Sequence, residues 1–216
     1  MLKNVLFDLG GLFITVYTDR FERWLFSTYP AESHSVLFRQ RFDEAHHAYE
    51  KGGLSTARFL LEIRYLLGYQ VEEQEIEQAW NSILGAFSLE DLSWASGLRS
   101  FFRTSLLSNT NELHRESFEE SLRQQTGGRE LTDYFDGVYY SQRLGLRKPA
   151  LEIYFRVLEL QGWRAEETLL VDDNPQNVRA AAQLGMGAVL HPCNAPLRPQ
   201  LEARLDLPFH QLSLLS

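Results

Sequence analysis

The sequence predicts an open α/β fold, a parallel sheet covered by helices, with a helical block inserted after the first strand. Three observations carry this. Short apolar runs recur along the chain, each followed by polar residues and a helix-like stretch. Their apolarity is continuous rather than alternating, the pattern of strands buried on both faces. The stretch from about Thr18 to Leu92 shows helical periodicity with no strand pattern between.

The strands are predicted at Val5 to Phe7, Ser105 to Leu107, Val138 to Tyr140 and Leu169 to Val171, with Ala188 to Leu190 as a weaker fifth. Pro149 stands where a first helical position belongs, and Gly162 where that helix stops. Asn174 and Pro175 open another helix, which Gly185 closes. In the inserted block, Asp19 is placed to cap a helix carrying Phe21, Trp24 and Leu25. Ser55 caps a second, with Phe59, Leu60, Ile63, Leu66 and Leu67 before Gly68. A third runs through Ile76, Ala79, Trp80, Ile83, Leu84 and Phe87. The division that follows is a core of residues 1–17 and 93–216 and a helical block of residues 18–92, set as a lid over the active edge of the sheet.

With 216 residues, 44% of them hydrophobic, the chain can bury one core and still carry a small subdomain. Cys193 is the single cysteine, so no intrachain disulfide forms, which fits a reducing compartment. Met1 to Phe7 lacks the apolar core and cleavage site of a signal peptide, and no run approaches the roughly 20 apolar residues of a membrane span. The expectation is a cytoplasmic protein, monomer or homodimer. A formal net charge of −8 argues against nucleic acid or an anionic membrane as partner. A phosphate substrate stays open, because a pocket needs only local positive charge.

Ligands of open α/β sheets bind beyond the carboxyl ends of the strands. The residues there are Asp8, then Ser108-Asn109-Thr110, then Arg147-Lys148-Pro149 after the third strand, then Asp172-Asp173-Asn174. Acidic groups, a hydroxyl and an ammonium thus converge on one edge. Singly, each has an ordinary explanation. Asp172-Asp173 suits a helix start, Ser108 an N-cap, and Lys148 the surface. Their order on this element pattern is what makes them specific.

Phe7-Asp8-Leu9-Gly10-Gly11-Leu12, Leu107-Ser108-Asn109, Lys148-Pro149 and Val171-Asp172-Asp173-Asn174 resemble the four ordered motifs of the haloacid dehalogenase superfamily. The helical insert resembles the cap of its subfamily I. The likeness reaches about His191, and Leu107 to Asn111 with Ser141 to Pro149 is most similar to the branch of sugar-phosphate phosphatases such as the alpha-D-glucose-1-phosphate phosphatases. The resemblance implies a Rossmann-like parallel sheet and a Mg²⁺-dependent hydrolase of small phosphorylated metabolites. In it Asp8 attacks phosphorus and forms an aspartyl phosphate. Two unit charges 4 Å apart repel by about 4 kcal/mol at an effective dielectric near 20, so such a site requires cations. The resemblance gives Mg²⁺ an Asp8 oxygen, the Gly10 carbonyl and Asp173 as ligands, with Asp172 behind them. Lys148 holds the phosphoryl oxygens, and Ser108, Asn109, Gly10 and Gly11 complete the substrate-binding set.

One position departs from the pattern. Phosphatases of this superfamily usually carry a second aspartate two residues after the nucleophile as general acid and base, where this chain has Gly10. Such help is worth about 10²–10⁴-fold. Tyr17, Asp19 and His114 are the candidates to replace it. Gly10 also keeps two alternatives in view: a metal-free 2-haloacid dehalogenase using Asp8 on carbon, and a non-catalytic homologue that binds a phosphometabolite. Asp172-Asp173 opposes the first, and retention of Asp8, Lys148 and Asp173 together opposes the second. A mutase is disfavoured by the same missing aspartate. His46 and His47 read as residues of the helical block's surface more than of a pocket, and Cys193 carries no role.

Overall fold

The computed structural model describes residues 1–30 and 35–205. In chain order the strands are β1 (Asn4–Phe7), β2 (Ile14–Val16), β3 (Leu84–Phe87), β4 (Arg103–Ser108), β5 (Gly137–Tyr140), β6 (Thr168–Asp172) and β7 (Gly187–Leu190). Five of them form one parallel sheet in the order β5-β4-β1-β6-β7. All five predicted strands are present.

The sheet is buried on both faces, as continuous apolarity requires. Val5 and Phe7 of β1, Leu106 of β4 and Val171 of β6 point into one apolar cluster. Their neighbours Leu6, Leu107 and Leu170 point into another. The first face is covered by α5 (Leu89–Gly97), α6 (Glu112–Thr126) and α10 (Arg198–Leu205), and the second by α8 (Leu151–Gln161) and α9 (Pro175–Gln183). Removing a buried Leu from such a face costs about 2–5 kcal/mol.

Four helices, α1 (Asp19–Thr28), α2 (Val36–Glu50), α3 (Thr56–Leu66) and α4 (Glu73–Asn81), gather around a third apolar cluster built on Phe21, Phe59, Ile63, Ile76 and Trp80. Ser55 caps α3 as predicted, its hydroxyl accepting from the Arg58 amide. Thr18 rather than Asp19 stands at the N-cap of α1, and Asp19 is its first residue.

The third helix of this block is shorter than its periodicity predicts. It ends at Asn81, and Leu84–Phe87 is β3, antiparallel to β2. Ile83, Leu84 and Phe87 suit either spacing, and the pairing partner lies about 70 residues earlier, so local sequence favours the helix. Phe87, with Leu92 and Trp94 of α5, packs into the sheet cluster rather than the helical one. The helix predicted from Pro149 begins at Leu151 with Ala150 as its N-cap, while Gly162 closes it as expected. Asn174 and Pro175 open α9 as N-cap and first residue.

Candidate active site

The parallel registers bring the strand ends level. Phe7 pairs with Leu106 on one side and Val171 on the other, so Asp8 emerges between Ser108 at the end of β4 and Asp172 at the end of β6. The Asp8 amide still donates to the Val171 carbonyl (2.9 Å), which fixes the carboxylate at the sheet rim. Lys148 arrives from the loop after the short helix α7 (Ser141–Leu144).

Lys148 Nζ lies 2.8 Å from Asp8 Oδ1 and 2.7 Å from Asp172 Oδ2, with the lysine side chain 1% exposed. The Leu9 amide also donates to Asp8 Oδ1 at 2.7 Å. Burial by itself would strip the lysine proton, but Asp172 and Asp8 hold it on and push the pKa up. Burial pushes Asp8 up; Lys148 opposes this, and Asp172 and Asp173 add to it. Asp173 is raised for the same first reason, against a hydrogen bond with Cys193.

Asp172 is committed to the protein. Its carboxylate accepts from Lys148, from Asn177 Nδ2 at 2.9 and 3.0 Å, and from the Asn174 amide at 2.9 Å. Asp8, Asp172 and Asp173 each present an oxygen within 4.8 Å of the others. Three carboxylates against one ammonium leave an excess of negative charge in a largely buried place. Hard oxygen donors with that excess fit a divalent cation of the Mg²⁺ type.

Ser108 is buried at the rim, and its hydroxyl makes only a long 3.4 Å contact to the Asn109 carbonyl. Asn109 lines the cavity and also spans the Lys148 main chain. Its Nδ2 donates to the Lys148 carbonyl (2.9 Å) and its Oδ1 accepts from the Lys148 amide (2.8 Å). It therefore locks the backbone that aims the ammonium. Gly11 stands beside the acidic pair. Its amide donates to the Ile14 carbonyl at 2.9 Å, closing the turn after β1, and its φ is +71°. A Cβ there would collide with Asp173 Oδ2, so glycine permits the close approach of this turn to the acidic pair. Gly10 lines the cavity, and a Cβ on it would meet Val16 Cγ2 at 3.2 Å.

A cavity of about 490 Å³ opens over these groups and reaches into the helical block, within the usual size of a small-molecule site. Its far wall includes Phe42, His46, Glu50 and Trp80. His46 Nε2 lies 3.4 Å from Glu50 Oε1, and Arg147 donates from Nε to Glu50 Oε2 at 2.8 Å. Burial pushes Glu50 up, but His46 and Arg147 more than reverse this and hold it below the usual carboxylate range. Arg147 directly precedes Lys148, so a carboxylate of α2 grips the loop that carries the site's ammonium.

Of the three candidates for the missing aspartate, Tyr17 and Asp19 lie outside the cavity, packed or paired with Arg20 and Arg23. His114 lines it, but both ring nitrogens are engaged, with Asn111 Nδ2 (3.1 Å) and the Trp80 carbonyl (3.0 Å). Burial pushes its pKa down to about 4, partly offset by the Trp80 carbonyl. It is a neutral packing residue stacked on Trp80.

Sequence reasoning missed Glu50, although its i,i+4 spacing from His46 was a signal; it named Arg147 at the sheet edge without this partner, and weighed His46 as surface more than pocket where it lines the cavity. It also missed Cys193 and Asn194. Cys193 lines the cavity beside Asp173, and Asn194 brackets Val16, accepting from its amide (2.9 Å) and donating to its carbonyl (3.0 Å).

Three comparisons bear on this arrangement. The chain is 30% identical over 206 residues to a D-ribitol-5-phosphate phosphatase of Bacteroides thetaiotaomicron, covering 95% of this chain and 100% of that one. A HAD family enzyme of the same organism, solved with magnesium and inorganic phosphate, superposes with a TM-score of 0.79 at 28% identity, over 93% of this chain and 99% of that one. A predicted HAD-like hydrolase from Porphyromonas gingivalis gives 0.82 at 29%, over 96% and 100%. Residues 2–185 match the family model for haloacid dehalogenase-like hydrolases, and with the five-stranded parallel sheet and its acidic rim the chain belongs to that family.

Proposed function

We propose that this chain is a Mg²⁺-dependent phosphatase that hydrolyses small phosphate monoesters through an aspartyl-phosphate intermediate on Asp8. The observation that carries the reading is the trio of buried Asp8 and Asp172 and half-buried Asp173, answered by a single lysine. The relatives named above, a phosphatase and an enzyme holding magnesium and phosphate, support it. Asp8, the Gly10 carbonyl and Asp173 would hold the ion, and Asp172 would orient Lys148 behind them. Bound there, Mg²⁺ would supply positive charge against the phosphoryl oxygens.

Asp8 attacks phosphorus through a carboxylate oxygen as the ester P–O bond breaks. Lys148 and the Leu9 amide hold Oδ1 and so fix the carboxylate's orientation. Lys148 and the Ser108 hydroxyl stabilise charge on the phosphoryl oxygens. With glycine at position 10, the departing alkoxide takes its proton from water. Water then cleaves the acyl phosphate, restoring the Asp8 carboxylate and releasing phosphate. The helical block, residues 18–92 in this reading, acts as the cap that shields the acyl phosphate, its last residues from Leu84 resting on the sheet domain. The dehalogenase reading loses ground here. The described cavity wall contains no arginine to receive a halide, and the acidic trio has no use in a metal-free displacement.

The test is phosphate release from a panel of metabolite phosphates with Mg²⁺ or EDTA. Release with Mg²⁺, its loss in EDTA, and a drop of at least 10³-fold in Asp8→Asn are the expected outcomes. Release surviving EDTA or the substitution refutes the mechanism, and metal-free chloride release from 2-chloropropionate installs the dehalogenase instead.

A further inference from the structure

The chain crosses between the sheet domain and the helical block twice, after β2 and before β3. The two crossings lie side by side: β2 pairs with β3, and the Tyr17 amide donates to the Ile83 carbonyl at 2.8 Å. Adjacent crossings make a hinge. They fix one edge of the block and leave its angle to contacts made elsewhere. The Trp80–Asn111 contact stands beside the hinge, where it has little leverage on that angle.

The end of α2 supplies the distant contacts. Glu50 is its last residue, 7% exposed, and both Nε and a terminal nitrogen of Arg147 lie 2.8 Å from its Oε2. Its other oxygen faces His46 of the same helix at 3.4 Å. Among the described residues, Glu50–Arg147 is the only ion pair between the block and the sheet domain. The neighbouring Tyr49 hydroxyl accepts from the Leu113 amide at 3.1 Å. That amide stands in the first turn of α6, where the helix itself offers no carbonyl.

The surface that α2 meets is rigid. Arg147 is joined to Lys148, whose main chain is held by Asn109 and whose ammonium is held by Asp8 and Asp172. Loss of the pair therefore leaves the phosphoryl-holding groups in place and frees the block. The pair is also reversible. Docked, each ion stabilises the other in a dry place; undocked, both regain water, which offsets much of the Coulomb gain.

We infer that Glu50 and Arg147 form a latch that holds the helical block docked over the cavity. They are positioning residues. Phe42 and Trp80 of the block wall the cavity in the docked form, so the apparent affinity for a substrate that reaches them scales with the docked fraction. The catalytic consequence rests on the phosphatase reading above; the docking itself does not.

The experiment uses Arg147→Gln, Arg147→Lys and the double variant Glu50→Gln/Arg147→Gln, which strands no charge. Its first arm is hydrogen exchange without substrate. The Leu113 amide is expected to exchange about tenfold faster in Arg147→Gln and in the double variant, with the amides of β1 and β6 unchanged. Arg147→Lys, which keeps the charge, is expected to fall between. The second arm is steady-state kinetics on p-nitrophenyl phosphate, whose ring extends towards the block, and on acetyl phosphate, whose leaving group is short. KM for the first is expected to rise about tenfold in Arg147→Gln, with kcat within about threefold. KM for acetyl phosphate is expected to change far less. The double variant is expected to match Arg147→Gln, because a latch is lost only once.

Unchanged exchange at Leu113, or exchange that quickens equally in the sheet strands, overturns the latch. So does an equal fall of kcat on both substrates at constant KM, which places the pair on the aim of Lys148. Release of phosphate from neither substrate by the wild type overturns the phosphatase reading, and the exchange arm then decides the latch alone.

Discussion

Lys148 shows how one side chain settles the charge state of its surroundings. An ammonium with 1% exposure keeps its proton only because two carboxylates sit within 2.8 Å. His114 is the opposite case. It is buried with no acid in contact, so its pKa falls from 6.5 to about 4. Between those values the unfolded chain binds a proton that the folded chain refuses, and stability must fall as pH drops from 6.5 towards 4. The loss is on the order of 3 kcal/mol over that interval. Urea denaturation across that range is expected to show it, and the difference between wild type and His114→Gln isolates it from the carboxylates. A difference independent of pH would mean that the imidazole titrates normally. Asp8, Lys148 and Asp173 were legible residue by residue, because motif order fixes their place at the strand ends. The same order put Asn109 and Gly11 at the rim, but did not show the hydrogen bonds that tie Asn109 to Lys148 and Gly11 to Ile14. Which acceptor an amide finds is a property of the folded neighbourhood.

The five sheet strands could be read from continuous apolarity because both their faces are covered, and their helices could be read from Gly162, Asn174 and Pro175. The strand β3 could not, since its partner β2 is distant and its apolar residues fit a helix equally well. Contacts between elements were also hidden. Gly52 follows α2 with φ +69°, and a Cβ on it would collide with the Gln142 carbonyl oxygen in α7. Gly68 has a similar φ of +67° but nothing nearer than 3.7 Å. Gly68→Ala is therefore expected to cost only the left-handed penalty, about 1–2 kcal/mol. Gly52→Ala pays that and also pushes α2 off the sheet domain. Thermal melts should rank it clearly the less stable of the two. Equal melting temperatures would show that the α2–α7 contact yields freely.

At the scale of the molecule, a chain of net charge −8 keeps uncompensated negative charge at its sheet rim. A divalent ion that relieves this binds the folded state alone, so it must raise the melting temperature. At a hundredfold excess over Kd the gain is about 2.7 kcal/mol, or about 5–10 °C for a chain of this size. Calorimetry with MgCl₂ should record the rise, EDTA should reverse it, and Asp173→Asn should abolish most of it. An equal rise with NaCl at matched ionic strength would reassign the effect to screening. No described helix is long and apolar enough to cross a membrane. The cavity itself was the least legible feature. It is made by helices α1, α2 and α4 meeting strand ends that lie up to about 150 residues away, a distance no local pattern records.

The turn after β1 is pinned by Asn194, which holds both main-chain polar groups of Val16 and whose amide donates to the Gly11 carbonyl at 2.7 Å. These bonds span 178 residues for Val16. During synthesis, then, the first piece of the reaction centre to leave the ribosome is among the last to be secured. Until Asn194 has emerged, the segment beside the nucleophile lacks its clasp.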